Sequence, residues 1–363
     1  MLFLRNGVAP ENDVALSYLQ PSKSIEERSC KRARSKGEAM SLANSRFAYS
    51  RGLHDLGNGG YAWLQPDGGW GWSNAGLVVS GDHSLLVDTL FDVPLTRDML
   101  DAMRRAEPKA AAKIDTVVNT HHNGDHWFGN QCCEGAEIIA HKLALEGMLR
   151  EGPEMLAALM KAAPGMGETG QFFTQCFGAF DFAGVTATLP TTTFEGELTR
   201  QVGDKTLRLT HVGPAHTPGD ILVHAVEDKV VFTGDILFIE GHPIMWAGPI
   251  RNWVAACDGI LAMDVETVVP GHGPITDKKG VAAVRDYLVY TRDEAKKRFD
   301  AGLSVYEAAS DIDMRGYEGW GDGERVVANV TALYREFAGE EGGHTGSDVW
   351  GKMAQFAHEH SHS

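Results

Sequence analysis

The order of apolar and polar positions along the chain predicts strands that alternate with helices. Short β-rich runs bounded by glycine occur at 61–65, 75–80 and 84–88, which is typical of strands. Between residues 94 and 107 the apolar positions recur at three- and four-residue spacing, as on one face of a helix. The run KIDTVVNT at 113–120 is apolar through its centre, as expected for a strand that is covered on both faces.

The same alternation continues to the C-terminal part of the chain, and it indicates a layered α/β fold. Further strands are predicted at 136–140, 206–210, 221–226, 229–234 and 267–270. Helices are predicted at 251–263, 278–300 and 322–338. The region 141–180 is also predicted to be helical, with breaks at 152–153 and 164–170. We expect a polar N-terminal extension at 1–45, a catalytic domain at 46–300, and a C-terminal helical extension with a His-rich tail at 301–363. The final HEHSHS is typical of a disordered end.

Composition narrows the classes of partner. The 363 residues are 43% hydrophobic, so a packed core is expected, and the net charge of −16 disfavours binding to nucleic acid. The chain has no apolar run of 18 residues, so we expect no membrane span. Five cysteines, of which Cys132 and Cys133 are adjacent, disfavour a disulfide framework and predict a cytoplasmic protein.

Residues of the types that bind metals are concentrated in the loop that follows the predicted strand ending at residue 120. His121, His122, Asp125 and His126 lie within six residues of one another. Imidazole and carboxylate groups are together the ligands that suit zinc, iron or manganese. Because loops at strand ends can aim several side chains at one point, this loop predicts a metal site.

Three later segments each place a ligand-type residue after a predicted strand, with glycine and proline beside it. These residues are His216, Asp235 and His272. Each segment is a weak signal by itself, since a Gly-Asp pair is more often a turn and a Gly-His-Gly run more often a plain loop. Their order and spacing together strengthen the prediction of a metal site.

With these motifs the chain resembles the metallo-β-lactamase superfamily of hydrolases, from about residue 59 to about residue 288. The resemblance implies a four-layer αββα sandwich, here with extra C-terminal helices, and metals in a cleft at the edge of two sheets. Asp88 matches a supporting acid that orients the metal loop. The superfamily's His-x-His-x-Asp-His motif and its three later ligands fall on His121, Asn123, Asp125, His126, His216, Asp235 and His272.

Asn123 stands where the motif has its second histidine. The resemblance implies a first metal on the first two motif positions and His216, and a second on Asp125, His126 and His272, with Asp235 between them. An amide oxygen binds zinc more weakly than an imidazole, so the first site has lost a strong ligand. Three arrangements follow: one metal in the Asp125 site, two metals with a weak first site, or a rearranged site that uses His122. We expect the first.

The resemblance implies a zinc-dependent hydrolase with one or two ions, iron and manganese being alternatives. A bound zinc lowers the pKa of its water toward about 7, which gives a metal-bound hydroxide as nucleophile at neutral pH. Asp125 would bind metal and also orient the nucleophile or pass protons. Asn123, if it is not a ligand, would hydrogen-bond the substrate or the water.

Aromatic residues follow the ligand segments, and we expect Trp127, His242 and Trp246 to line the substrate site. An aromatic mouth on an acidic protein favours a small, largely apolar ester, lactone, amide or activated aryl compound. The alternative is a mononuclear iron oxidoreductase of the same fold, similar to persulfide dioxygenases. We expect a small-molecule substrate and neither nucleic acid nor membrane as partner, and a homodimer is left open.

Overall fold

The structure is a computed structural model that describes residues 41–340 and 348–360. Most of the N-terminal extension expected at 1–45 therefore lies outside the described residues. Within the described ranges, the first sheet has seven strands in chain order: β1 (Gly52–Gly57), β2 (Gly60–Leu64), β3 (Ala75–Ser80), β4 (His83–Val87), β5 (Thr116–Val118), β6 (Glu137–His141) and β7 (Thr192–Phe194).

The second sheet has five strands in the part of the chain that is described, in the spatial order β12, β11, β10, β9, β8. Its strands are β8 (Glu197–Val202), β9 (Lys205–His211), β10 (Ile221–Ala225), β11 (Val230–Phe232) and β12 (Thr267–Val269). Strands β4 to β7 are parallel, as are β11 and β12, whereas the other neighbours are antiparallel.

Helices cover the outer faces of the two sheets and extend the fold at its C-terminal end. The helices found in the described residues are α1 (Val93–Ala106), α2 (Lys142–Arg150), α3 (Pro153–Ala162), α4 (Gly167–Phe177), α5 (Ile250–Ala262), α6 (Lys278–Asp300), α7 (Val305–Asp311), α8 (Arg325–Phe337) and α9 (Asp348–His360). None of these helices combines the length and the apolar character needed to cross a membrane.

Two apolar clusters define the layers, and the two-residue period of the strands divides residues between them. In β4, Leu85 and Val87 belong to the cluster that lies between the sheets. Leu86 belongs to the cluster that includes the helices, and it packs there with α1 residues such as Met99. Strands covered on both faces must be apolar throughout, which explains the continuous apolar runs in the sequence. The expected αββα sandwich with extra C-terminal helices is confirmed.

Strands β1, β7 and β8 were not predicted from the sequence. The residues of β8 are mostly half-buried or exposed, so the apolar alternation that reveals a strand is weak. The short helix α7 was also not expected. The prediction of a disordered end over HEHSHS was wrong for residues 358–360, because these residues form the last turn of α9. The ring of His360 stacks on Phe356 at 3.9 Å, and Phe356 is buried.

Gly76 in β3 packs directly against the second sheet. A Cβ atom at this position would lie 2.1 Å from the ring of Phe232 in the second sheet. We therefore expect Gly76→Ala to lower the free energy of unfolding by about 1–3 kcal/mol, since an added methyl group in a packed core forces its neighbours to shift.

Urea unfolding of Gly76→Ala beside Gly259→Ala measures this effect. Gly259 lies on α5 with open space around its Cα, so alanine there should be neutral or slightly stabilising. Equal stability of the two variants would contradict the close packing of the sheets at Gly76.

Candidate metal centre

The predicted ligands all lie in loops that leave the same edge of the two sheets. Asp88 follows β4, and the loop containing His121 and His126 follows β5, which is parallel to β4. Asp235 follows β11 and His272 follows β12, which are also parallel. Because parallel strands end at a common edge, residues from distant parts of the sequence meet there.

Backbone crowding at this edge requires glycine at two positions. A Cβ atom on Gly271 would lie 2.0 Å from Oδ1 of Asp235. Gly234 has a φ of 49°, and a Cβ atom there would lie 2.5 Å from Oγ1 of Thr120. The Gly-Asp and Gly-His pairs that are visible in the sequence therefore let the loops approach closely enough for the ligand side chains to meet.

Asp235 is the centre of the cluster. Its carboxylate oxygens lie 3.1–3.6 Å from the Nε2 atoms of four imidazoles, those of His121, His126, His216 and His272. Asp125 lies beside it, with Oδ2 at 3.3 Å from Nε2 of His272. All six side chains are buried. The structure thus brings together every predicted ligand of the imidazole and carboxylate types.

The opposite ring nitrogen of each imidazole has a partner that fixes the ring. The Nδ1–H groups of His126, His216 and His272 donate to Oδ2 of Asp88 (2.9 Å), the carbonyl of Ile244 (2.6 Å) and the carbonyl of Gly68 (3.0 Å), respectively. These bonds orient Nε2 of each ring toward the cluster.

His121 is held through Thr120. The Thr120 hydroxyl donates to Oδ2 of Asp88 at 2.7 Å, so its oxygen accepts from Nδ1–H of His121 at 3.1 Å. The backbone N–H of Thr120 donates to the other oxygen of Asp88. Asp88 therefore orients two of the four imidazoles, as expected for a supporting acid.

Several buried acceptors at the centre have no hydrogen-bond partner. They include Nε2 of His121, Nε2 of His126 and Oδ1 of Asp235. A buried polar atom without a partner costs about 1–3 kcal/mol. Imidazole nitrogens and carboxylate oxygens that converge in this way are the donor set of a zinc, iron or manganese site, so the residues fit a divalent cation.

Two groups of donor atoms could each hold an ion, and within each group the atoms all lie within 4.8 Å of one another. One comprises His121, His126 and Asp235, and the other Asp125, His126 and His272. His126 belongs to both groups. The resemblance, in contrast, assigned it to the second metal alone.

The protonation states of the cluster reflect its buried charges. Burial lowers the pKa of His121 well below its usual value and that of His216 to about 4. Burial also opposes protonation of His272, but Asp235 and Asp125 outweigh it and raise its pKa to about 9. A divalent cation bound by these carboxylates would take the place of the protons that they otherwise draw onto neighbouring imidazoles.

Asn123 points into the cluster and His122 does not. Oδ1 of Asn123 lies 2.7 Å from Nε2 of His216. Both atoms are acceptors when Nδ1 of His216 carries the proton. The contact is therefore satisfied either by turning the amide N–H₂ toward the ring or by a cation bound to both atoms. The His122 ring instead packs over Gly147, with Nε2 at 3.5 Å from Glu151. The rearranged site that uses His122 is therefore not the arrangement in this structure.

The cluster forms the floor of a cavity of about 400 Å³, a size typical of sites for small molecules. Its walls are mainly aromatic and aliphatic. They include Trp70, Phe91, Phe128, Met155, Leu156, Leu159, Phe173, Phe177, Trp246 and Trp350. A buried Arg325 guanidinium stacks over Trp70 at 4.4 Å and donates to the His242 carbonyl, which fixes this part of the wall.

The predicted wall residues are corrected in part. Trp246 lines the cavity, but Trp127 and His242 do not. Trp127 is fully buried and its indole N–H donates to the carbonyl of His122, while Nδ1 of His242 bonds the Tyr287 hydroxyl. Closeness to a ligand in the sequence does not give the direction of a side chain. Trp350 was missed because it is distant from every motif.

A family model described as the metallo-beta-lactamase superfamily matches residues 68–272. The chain belongs to this superfamily. One relative within it is the linear primary-alkylsulfatase of a Pseudomonas strain, 22% identical over 291 residues that cover 72% of this chain and 52% of that protein. The chain therefore spans about half the length of that alkylsulfatase. The acyl-coenzyme A thioesterase MBLAC2 of Homo sapiens is 31% identical over 221 residues, covering 55% of this chain and 72% of that one.

Solved structures of the superfamily share the fold. The sec-alkylsulfatase Pisa1 from Pseudomonas sp. superposes with a TM-score of 0.59 at 19% identity, covering 80% of this chain and 50% of that one. A metallo-beta-lactamase family protein from Thermus thermophilus gives 0.56 at 17% identity, covering 78% of this chain and 95% of that one. At these identities the likeness concerns the fold.

The geometry predicts that metal binding depends on His126 and His272. We expect His126→Ala and His272→Ala each to weaken metal binding by more than about tenfold, since changes to groups that merely orient ligands already cost that much in metal sites. Elemental analysis after dialysis measures this. His83→Ala is the matched control, because His83 is exposed at the start of β4, whereas the metal loop adjoins the end of that strand. If both variants retained full metal, the assignment of the centre would be wrong.

The position of Asn123 predicts an unequal pair of sites. We expect about one tightly bound metal per chain in the natural protein and a value closer to two in Asn123→His, because an imidazole replaces the weaker amide beside His216. Titration with zinc, followed by calorimetry, gives the stoichiometry. Asn123→Ala should keep the tight ion. Two tightly held ions in the natural protein would contradict this prediction.

Proposed function

We propose that this protein is a zinc-dependent hydrolase of a small, largely apolar ester, lactone, amide or activated aryl compound. The observation that carries the proposal is the placement of the His and Asp cluster at the floor of a cavity with aromatic and aliphatic walls. The relatives support it, since one is named an alkylsulfatase and another an acyl-coenzyme A thioesterase. Both names combine a hydrolysed ester-type bond with an alkyl or acyl group.

A zinc ion held by the cluster would lower the pKa of a bound water toward about 7 and polarise a carbonyl oxygen. The protein's own residues supply orientation and proton transfer. Asp125 lines the cavity, and its Oδ2 lies 3.3 Å from Nε2 of His272. The Ser73 hydroxyl donates to the backbone carbonyl of Asp125 and so fixes the turn that carries it. In this proposal Asp125 orients the attacking water and accepts its proton.

Asn123 and Trp246 contact the substrate in this proposal. Asn123 is half-buried at the cavity floor, where its amide can donate to a substrate oxygen. The backbone N–H of Trp246 donates to the carbonyl of His216 at 3.0 Å, so the backbone that carries the indole is fixed beside a ligand segment. A planar, apolar group bound at Trp246 would thus lie close to the cluster.

Charge and cysteine chemistry support the remaining parts of the proposal. A net charge of −16 opposes the approach of an anionic polymer through long-range repulsion, which favours a small molecule. Cys132, Cys133, Cys176 and Cys257 are free thiols. Free thiols at these described positions agree with a reducing, cytoplasmic compartment.

The proposal predicts turnover of neutral substrates that is lost with the metal. Chelation should abolish hydrolysis across a panel of esters, lactones, amides and thioesters, and added zinc should restore it. Trp246→Ala should raise KM several-fold more than it lowers kcat, because the indole contributes binding that is equal in the ground and transition states. Steady-state kinetics measures both constants.

Trp320→Ala is the control, since Trp320 is half-buried away from the cavity. Robust cleavage of DNA or RNA without turnover of any neutral substrate would overturn the proposal. Tightly bound iron together with oxidation of a thiol persulfide would instead favour the oxidoreductase alternative.

A further inference from the structure

The C-terminal helix α9 delivers a tryptophan to the cavity. The Trp350 ring lies 4.8 Å from Phe173, 5.2 Å from Trp70 and 5.6 Å from Trp246, measured between ring centroids. All four side chains line the cavity. Trp350 is half-buried, so part of the indole remains uncovered by protein. One wall of the cavity is therefore an aromatic surface assembled from distant parts of the chain.

Packing elsewhere on α9 holds this tryptophan in place without help from a ligand. Val349, Met353, Ala354 and Phe356 are buried against the body of the protein. Gly351 lies next to Thr169 on α4, since a Cβ atom there would be in ordinary contact with Thr169 at 3.7 Å. Trp350 is thus a preformed wall, which reduces the entropy cost of binding a ligand against it.

Another part of the cavity wall, formed by α3, is exposed. Met155, Leu156 and Leu159 of α3 line the cavity, yet only Pro153 of that helix is buried. Within the described residues, the large hydrophobic side chains that are exposed are Leu149 (65%), Met155 (53%) and Met166 (37%), all in the segment around α3. Met155 is thus both exposed and part of the cavity wall, and an exposed apolar side chain beside Leu156 and Leu159 indicates a binding surface for an apolar group.

We propose that the cleft between α3 and the aromatic wall of Trp350 is a subsite for an unbranched alkyl or acyl chain. Rigid rings on one side and flexible Met and Leu side chains on the other suit a chain that adopts several conformations. The hydrolysed bond would then lie at the His and Asp cluster, and the chain would extend outward past Trp350 to Met155. This inference rests on the proposed function and identifies the substrate class and the residue that selects it.

The first test varies the length of the chain. With 4-nitrophenyl acetate, butyrate, hexanoate and octanoate, kcat/KM of the natural protein should rise up to about fourfold per added methylene, the effect of burying one CH₂ group. In Trp350→Ala the fold-increase in kcat/KM per methylene should be less than about half of that in the natural protein. A kcat/KM that is independent of chain length in the natural protein would overturn the subsite, even where ester hydrolysis itself is metal-dependent.

The second test separates binding from hydrolysis. The protein should bind 1-octanol, an alcohol without a hydrolysable bond, in calorimetry, and Trp350→Ala should bind it at least about fivefold more weakly, as expected on loss of an aromatic contact. Trp320→Ala is the matched control, because it makes the same change at a half-buried tryptophan that lies outside the cavity. Absence of octanol binding, or an equal loss in both variants, would overturn the role of Trp350 while leaving the proposed function untouched.

Discussion

The carboxylate of Asp88 is the interaction on which the metal loop depends. Buried beside the end of β4, it accepts the backbone N–H and the hydroxyl of Thr120 and the Nδ1–H of His126. These bonds tie the end of one strand to the loop of the next and fix the rings of two histidines. Because Asp88 has a φ of 63°, its backbone turns sharply out of the strand and directs the side chain toward that loop.

The second constraint is the charge that the cluster buries. Asp125 and Asp235 lie among four imidazoles with almost no access to water. Burying carboxylates is unfavourable unless they are paired, and the orphaned nitrogens of His121 and His126 show that the protein's own groups do not complete the pairing. A cation at the centre would satisfy the acceptors and balance the charge together, so the fold and its ion are linked in their stability.

The cavity above the cluster has a different origin. Its floor comes from loops of the αββα sandwich, whereas much of its wall comes from α3, α4 and the C-terminal α9. The guanidinium of Arg325 on α8 connects the wall to the floor. It stacks on Trp70 of the wall and lies 5.1 Å from the ring of Phe238. The Phe238 ring in turn lies parallel to that of His272 at 5.0 Å. The ligand groups are therefore set by loops at the strand ends, and the shape of the pocket largely by helices α3, α4 and α9.

The sequence by itself determined the layered fold, because strands buried on both faces must be apolar and helices must repeat every three to four residues. It also indicated the ligand residues, since imidazole and carboxylate groups cluster beside glycines at strand ends. Only the tertiary structure decided that Asn123 rather than His122 faces the cluster, because a difference of one position reverses the direction of a side chain. It alone placed Trp127 and His242 away from the cavity and brought Trp350 into it, since packing between distant helices has no local signal in the sequence.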